Sequence, residues 1–304
     1  MNQSILSSCR LCPRRCGADR TRETGRCGGG LLPRVARAAL HFWEEPCLSG
    51  TRGSGAIFFS GCSLRCVYCQ NYRISTGNFG QEVSIPRLAQ IIRELEEQGA
   101  HNINLVSAAH YVPQILEAFS LYRPSIPVVY NSSGYESLET LRLLEGVVDI
   151  YLPDLKYVDP ALSARYSAAP DYFERASQAL LEMHRQVGES VLNREGIMTR
   201  GMIVRHLVLP GQEENTAQVL EWLAGHLPLT TYLSLMCQYT PAGLAAQFPE
   251  INRPLERREY RRAQARMRKL GFQNGFTQDP GSSGSQYIPP FNLEGVASKG
   301  GPHA

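Results

Sequence analysis

Six short apolar runs occur in the chain beyond residue 54, and segments with helical periodicity lie between them. The runs are continuous and do not alternate apolar with polar positions, which is typical of strands buried on both faces of a parallel sheet. The sequence therefore predicts six parallel strands at residues 55–60, 102–107, 127–131, 149–155, 202–209 and 232–236.

Helical patterns occupy the intervals between these runs. Ser84 can cap one helix, Pro86 suits its first turn and Gly99 can end it. The apolar stripe of this helix has the spacing of a face packed on a core, at Leu88, Ile91, Ile92 and Leu95. Further helices are predicted at 113–121, 137–144, 172–187, 215–223 and 255–270. Strands alternating with helices imply right-handed crossovers, and so an α/β fold with either a doubly wound sheet or a partial barrel.

Polar residues, glycines and three cysteines follow the predicted strands, at the strand ends where such folds gather their chemistry. These positions are 61–69, 108–110, 132–134, 156, 210–211 and 237–239. The tail from 278 onward is rich in Gly, Ser and Pro, which predicts an extended segment lying over the body or partly disordered. Its apolar middle at 287–291 is suited to docking.

Composition narrows the class of protein. The 304 residues carry a formal net charge of +3, too small for a protein that coats nucleic acid, and 43% are hydrophobic, enough for a full core. No apolar run approaches the length of a membrane span, and no secretory signal is visible. We therefore expect a soluble, cytoplasmic protein. The arginine-rich helix at 255–270 is expected to be a solvated face, with docking of an acidic partner as the alternative.

The cysteines are concentrated at one end of the chain. Only Cys237 lies beyond residue 70, and the other eight are Cys9, Cys12, Cys16, Cys27, Cys47, Cys62, Cys66 and Cys69. Clustered thiols in a protein expected to be cytoplasmic indicate metal ligands more than disulfides. For Cys47 the commoner alternative is a buried, inert thiol. The composition thus predicts a metal or iron–sulfur protein.

Cys62, Cys66 and Cys69 form a C-x3-C-x2-C loop directly after the first predicted strand. Three thiolates this close can ligate three irons of a four-iron cluster and leave the fourth iron open to a substrate or cofactor. The alternative is a zinc site or unrelated thiols. With Tyr68 as the aromatic residue before the last cysteine, the loop resembles the signature of the radical S-adenosylmethionine superfamily, and the similarity extends from about residue 55 to 241.

The resemblance implies a partial (β/α)6 barrel at 51–275, with a cysteine-rich segment at 1–50 and a tail at 276–304. It also implies one 4Fe-4S cluster whose open iron binds S-adenosylmethionine. The reduced cluster passes one electron to the sulfonium, and cleavage yields methionine and a 5′-deoxyadenosyl radical that takes a hydrogen atom from the substrate. A reducing partner such as flavodoxin or ferredoxin is implied, while a membrane or nucleic-acid partner is not expected.

Within the superfamily the chain is most similar to activating enzymes of glycyl radical enzymes. Asp154-Leu155-Lys156 matches their Asp-Leu-Lys, which implies that Lys156 contacts the cofactor carboxylate, although a surface ion pair is the alternative. The resemblance assigns further cofactor-binding positions, with Tyr239 as an alternative to Gln238; they are Tyr68, Ser107, Asn131, Ser133, Asp154, Arg205 and Gln238.

One stretch departs from that pattern. Ser107-Ala108-Ala109-His110 stands where the superfamily has a Gly-Gly-Glu turn, although the small Ser107 and Ala108 still let backbone approach a cofactor. The surrounding residues resemble an uncharacterised branch similar to pyruvate formate-lyase activating enzymes. The substrate therefore stays open between a protein glycine, a peptide and a small molecule.

Cys9, Cys12, Cys16 and Cys27 have the spacing C-x2-C-x3-C-x10-C, and six arginines surround them. Four soft ligands can close a zinc site or hold a second iron–sulfur cluster, and the spacing alone leaves both open. The alternative to an enzyme is a non-catalytic zinc-binding module that contacts RNA or protein. The open triple at Cys62, Cys66 and Cys69 on an α/β scaffold favours the enzyme.

Overall fold

A computed structural model describes residues 3–278 and 289–297 of the chain. Its strands are β1 (Arg34–His41), β2 (Ser54–Phe59), β3 (Gln81–Glu82), β4 (Ile103–Val106), β5 (Val128–Ser132), β6 (Ile150–Pro153), β7 (Val191–Leu192), β8 (Met198–Leu207), β9 (Tyr232–Met236) and β10 (Gly275–Thr277). Its α-helices are α1 (Gln3–Leu6), α2 (Pro46–Ser49), α3 (Tyr72–Ser75), α4 (Ile85–Glu97), α5 (Val112–Leu121), α6 (Leu138–Leu143), α7 (Pro160–Ser167), α8 (Tyr172–Val187), α9 (Glu213–His226) and α10 (Arg257–Lys269).

The strands form one sheet in the order β10-β9-β8-β6-β5-β4-β2-β1-β3, with β7 paired to β8. In the series β2, β4, β5, β6, β8, β9 and β10, each strand is parallel to the next. Right-handed crossovers between sequential parallel strands put all the connecting helices on the same face of the sheet. The sheet therefore curves into an open barrel and is not doubly wound. The predicted partial (β/α)6 barrel is confirmed.

The sheet is buried on both faces, as its continuous apolar runs predicted. On the outer face Ile57, Leu105 and Tyr151 belong to a core that includes the apolar stripe of α4. On the inner face Leu152 packs with Leu48 of α2 in a separate cluster. Alternate side chains along each strand therefore face the helices or the barrel interior.

The helix boundaries follow the capping residues. The Ser84 hydroxyl accepts a hydrogen bond from the Arg87 amide, which satisfies one of the free donors at the start of α4. Strand β9 and helix α8 have the predicted bounds. Strand β8 starts at Met198, four residues before its prediction, because its first residues pair with the short strand β7.

Strand β1 was not predicted. It runs antiparallel to β2, from the Val35–Phe59 pair to the His41–Ser54 pair, so its carboxyl end lies at the amino end of β2. The sheet thus begins inside the segment 1–50, and the division of the chain at residue 50 stays a prediction. Residues that follow β1 enter the barrel interior, where α2 packs.

Residues 289–297 lie along β1. The Leu293 amide donates to the Ala36 carbonyl at 3.0 Å, and Phe291 packs edge-on against Phe58. The Arg87 guanidinium binds the carbonyl oxygens of residues 295–297 and the Glu94 carboxylate. These contacts anchor this part of the predicted tail, whereas 279–288 and 298–304 lie outside the described residues.

Candidate active site

One cavity gathers the predicted site residues at the carboxyl ends of the strands. Its lining includes none of the four N-terminal cysteines, but it includes the eleven residues predicted to bind the reactive cluster or the cofactor: Cys62, Cys66, Tyr68, Cys69, Ser107, Asn131, Ser133, Asp154, Lys156, Arg205 and Gln238. They come from the loop after β2 and from the ends of β4, β5, β6, β8 and β9. The parallel register thus brings together side chains that are up to 176 residues apart in the chain.

Hydrogen bonds hold the loop at 62–69, hereafter the cysteine loop. The Cys62 amide donates to the Cys27 carbonyl at 3.0 Å, and the Cys69 amide donates to the Cys66 carbonyl at 3.1 Å. The Cys62 Sγ accepts from the Leu64 amide, and the Cys66 Sγ accepts from the Ser167 hydroxyl at 3.0 Å. Hydrogen bonds to sulfur stabilise thiolates and tune the potential of a cluster.

Burial sets the protonation of two thiols in this loop, Cys66 and Cys69. It raises the pKa of Cys66, and it raises the pKa of Cys69 to about 12. Neutral thiols are therefore favoured at neutral pH unless a metal displaces their protons. Three soft donors in a partly buried loop, with hydrogen bonds aimed at two of the sulfurs, fit an iron–sulfur cluster.

Tyr68 is part of the cysteine loop and anchors it through its hydroxyl. Its hydroxyl is 2.6 Å from the Tyr157 hydroxyl, which is 3.0 Å from the hydroxyl of Ser167. Burial raises the pKa of both tyrosines well above the ordinary value, so both stay neutral hydrogen-bonding groups. A chain of three hydroxyls thus runs from Tyr68 to the Cys66 sulfur and fixes the loop in one arrangement.

Asp154 and Lys156 form an ion pair in the cavity wall. Their side chains are only 24% and 17% exposed, so the pair is mostly buried and does not lie on the open surface. Burial opposes the charge of Lys156, but the Asp154 carboxylate and the Cys66 thiol raise its pKa, and it stays protonated. The Tyr172 hydroxyl accepts from the Lys156 amide and binds the Ser133 and Asp154 carbonyls, which ties β5 to β6.

The remaining predicted positions define the rim. Ser107 has a φ of +59°, a left-handed conformation uncommon for a residue with a side chain, and its amide donates to the Asn131 carbonyl at 2.9 Å. The Gln238 side chain accepts from Gln278, while its carbonyl accepts from Gln70. The turn after β4 therefore adopts a glycine-like conformation although it lacks glycine.

Arg205 lies between two carboxylates that the sequence analysis missed. Its guanidinium binds Glu45 through two hydrogen bonds, at 2.8 and 2.5 Å, and also binds Glu44. Glu44 accepts further hydrogen bonds from Asn104 and Asn131. The only signal in the sequence is the Glu-Glu-Pro that follows the apolar run of β1, and its placement inside the barrel depends on how β1 pairs.

We expect Arg205→Met to destabilise the fold strongly. Replacing the guanidinium leaves two buried carboxylates without a counter-charge, a change that typically costs about 3–5 kcal/mol. Arg200→Met on the same strand is the control, because Arg200 is exposed and makes one hydrogen bond with a backbone carbonyl. Urea unfolding measures both variants, and equal stability of the two would contradict this account.

The penalty in Arg205→Met should also depend on pH. Burial opposes the charge of Glu45, but Arg205 lowers the pKa of this carboxyl below its ordinary value in the folded protein. A group with a lowered folded pKa contributes stability above its unfolded pKa and loses it as the pH falls through the folded pKa. Urea midpoints of the wild type and the variant should therefore converge in acid, and a constant gap would refute the charge argument.

The four N-terminal cysteines lie against the same strand ends. Cys9, Cys12 and Cys27 are buried and Cys16 is exposed. Burial raises the pKa of Cys12 to about 12, and the Gly29 amide donates to the Cys27 Sγ. In residues 3–278 and 289–297 no three His, Cys, Asp or Glu side chains are arranged to hold a single metal ion, and this applies to both cysteine groups.

The described residues include no helix that is long and apolar enough to cross a membrane.

Three cysteines lie beside a cavity at the strand ends of a partial barrel. This arrangement is typical of iron–sulfur enzymes with a reactive cluster. Residues 56–223 match the family model of the radical SAM superfamily. The chain is also 30% identical over 278 residues to the uncharacterized protein MJ0674 of Methanocaldococcus jannaschii, covering 86% of this chain and 74% of that protein. The chain belongs to the radical SAM superfamily.

Two solved structures share the fold. Methylornithine synthase (PylB) has a TM-score of 0.50 and 14% identity, over 77% of this chain and 64% of that one. Streptococcus suis SuiB bound to its precursor peptide SuiA has a TM-score of 0.50 and 10% identity, over 72% of this chain and 46% of SuiB. The chain thus matches less than two thirds of the length of either protein.

Membership of the family confirms the predicted cofactors, a 4Fe-4S cluster and S-adenosylmethionine. The chain is a radical SAM enzyme, and the alternative of a non-catalytic zinc module is not supported for the matched residues.

Proposed function

We propose that this enzyme takes a hydrogen atom from a glycine of a protein partner, as an activating enzyme of the pyruvate formate-lyase type does. The observation that carries the proposal is the placement of Asp154, Lys156 and Arg205 in one cavity with the cysteine loop. These are the positions at which the chain resembles activating enzymes.

The protein residues have distinct parts in this proposal. Cys62, Cys66 and Cys69 hold the cluster, which together with S-adenosylmethionine supplies one electron and a 5′-deoxyadenosyl radical. Lys156 binds the cofactor carboxylate through a charge-assisted hydrogen bond, held in position by Asp154. The left-handed turn at Ser107 offers backbone groups to the cofactor, and the buried wall around Tyr68 excludes water from the reacting atoms.

Access to the cavity is compatible with a segment of another protein. Trp43 and Pro289 line the cavity beside β1, and Met236 and Gln238 line it beside β9, so the lining spans both sides of the open barrel. The Trp43 side chain lines the cavity and is 63% exposed, so it provides an apolar surface that is open to solvent. Glycine suits such a site because its Cα hydrogens are not shielded by a side chain.

Deuterium transfer tests the proposed substrate class. Extract from cells that express this chain, labelled with glycine deuterated at Cα, is separated into protein and low-mass fractions and added anaerobically to the reduced enzyme. We expect deuterium in 5′-deoxyadenosine with the protein fraction, measured by mass spectrometry. A matched extract labelled with deuterated alanine should give none. Transfer from the low-mass fraction alone would overturn the glycine proposal in favour of a small molecule.

A further inference from the structure

The chain contains two groups of three cysteines with the same spacers in opposite order. Cys9, Cys12 and Cys16 read C-x2-C-x3-C, whereas the cysteine loop reads C-x3-C-x2-C, and each group spans eight residues. The first group adds Cys27 as a fourth cysteine, and these four are the N-terminal cysteine group. Three close cysteines with a remote fourth are typical of four-iron clusters, whereas structural zinc sites are usually built from two short pairs.

The N-terminal cysteine group contacts the cysteine loop directly. The Cys27 carbonyl accepts from the Cys62 amide at 3.0 Å, so one ligand of each group is joined by a single hydrogen bond. Gly61 permits this approach, because a Cβ there would lie 2.4 Å from the Cys27 oxygen. The two groups are therefore next to each other in the fold.

Arg14 makes a second connection between the groups. It lies between Cys12 and Cys16 in the chain, and its Nε donates to the Ser63 carbonyl at 2.9 Å. Its Nη2 donates to the carbonyl of Ser167, whose hydroxyl binds the Cys66 sulfur. Arg14 thus links the N-terminal cysteine group to the cysteine loop through two short hydrogen-bonded paths.

The surroundings of the N-terminal cysteine group suit a negatively charged centre. Arg20 is 1% exposed and donates to the carbonyls of Gly29, Gly30 and His110. Its Nη1 is 3.9 Å from the Cys9 Sγ. A buried guanidinium that binds neutral carbonyls keeps its charge uncompensated unless the adjacent sulfurs are thiolates. Metal binding by those sulfurs supplies the missing negative charge.

We propose that Cys9, Cys12, Cys16 and Cys27 hold a second four-iron cluster that relays electrons to the cluster of the cysteine loop. Four thiolates leave no open iron, so this cluster transfers electrons and does not bind S-adenosylmethionine. The exposed Cys16 faces solvent, where a low-potential flavodoxin or ferredoxin can deliver one electron. That electron reduces the second cluster, which is reoxidised when it passes the same electron to the first.

The experiment uses the full chain with Cys62, Cys66 and Cys69 all changed to Ala, reconstituted anaerobically with iron and sulfide. We expect about four iron atoms per chain, a brown colour and an electron paramagnetic resonance signal after reduction with dithionite. The relay rests on the proposed function. The iron content of this variant is independent of that function, because the variant lacks the ligands of the reactive cluster. Bound zinc, or no iron, would overturn the proposal.

The wild type and a Cys12→Ala/Cys16→Ala variant test the relay. Two reduced clusters in contact should interact magnetically, so the wild-type spectrum should be broader than the sum of the two variant spectra. A wild-type spectrum equal to that sum would refute the relay. If the double variant does not fold, the spectrum of the reduced wild type is compared with that of the reduced triple variant alone. The broadening should be present in the wild type and absent from the triple variant, and broadening in both would refute the relay.

Discussion

Alanine at Cys62, Cys66 or Cys69 should abolish the cleavage of S-adenosylmethionine. In the proposed assignment each thiolate holds one iron of a cluster that has only three protein ligands, so removing one leaves two irons open and the cluster unstable. We expect 5′-deoxyadenosine at background level in each variant, measured by chromatography after anaerobic reconstitution and reduction. This is the largest expected effect because the electron for cleavage comes from this cluster.

Cys47→Ala is the matched control for these variants. Cys47 is a buried cysteine of α2 that packs against the inner face of the sheet and does not line the cavity. It should retain cleavage near the wild-type rate. Wild-type activity in any one of the three cysteine-loop variants would show that the cluster ligands have been assigned wrongly.

Lys156→Ala should weaken the binding of S-adenosylmethionine while the cluster still assembles. A hydrogen bond to a charged group typically contributes about 1.5–3 kcal/mol, which corresponds to roughly 10- to 150-fold in affinity. Anaerobic binding titrations measure the dissociation constant, and iron analysis measures the cluster. We expect the cluster to assemble because the Lys156 side chain is hydrogen-bonded to Asp154, and its influence on Cys66 is electrostatic.

Lys269→Ala serves as the control, since Lys269 lies in the last turn of α10, far in the fold from β6. Its affinity for S-adenosylmethionine should match that of the wild type. An unchanged affinity in Lys156→Ala, with the cluster intact, would remove Lys156 from the cofactor site and with it one support for the resemblance to activating enzymes.

The barrel strands could be predicted because their apolar runs are local signals. Strand β1 could not, since its residues include Arg34 and Arg37, whose side chains reach Glu82 and Glu294 from distant segments. This strand lies near the edge of the sheet, where charged residues are tolerated. Residues 289–297 of the tail cover one of its faces. Its pairing with β2 depends on contacts that no short window of sequence contains.

Only those parts of the candidate site could be predicted whose functional residues lie within a few positions of one another in the sequence. The cysteine loop and the Asp154–Lys156 pair could be assigned from spacing and from resemblance. Glu44 and Glu45 could not, because their role depends on a guanidinium about 160 residues away. Arg14 was visible only as part of a basic segment, and its carbonyl contacts exist only in the folded chain.

Electron paramagnetic resonance of the reduced wild-type enzyme, with and without S-adenosylmethionine, tests most directly whether the cavity holds a cluster with an open iron. Direct coordination of the cofactor to that iron should change the cluster signal. S-adenosylhomocysteine lacks the sulfonium, so in a separate assay it should give no 5′-deoxyadenosine. A cluster signal that saturating S-adenosylmethionine leaves unchanged would contradict the open iron beside Cys62, Cys66 and Cys69.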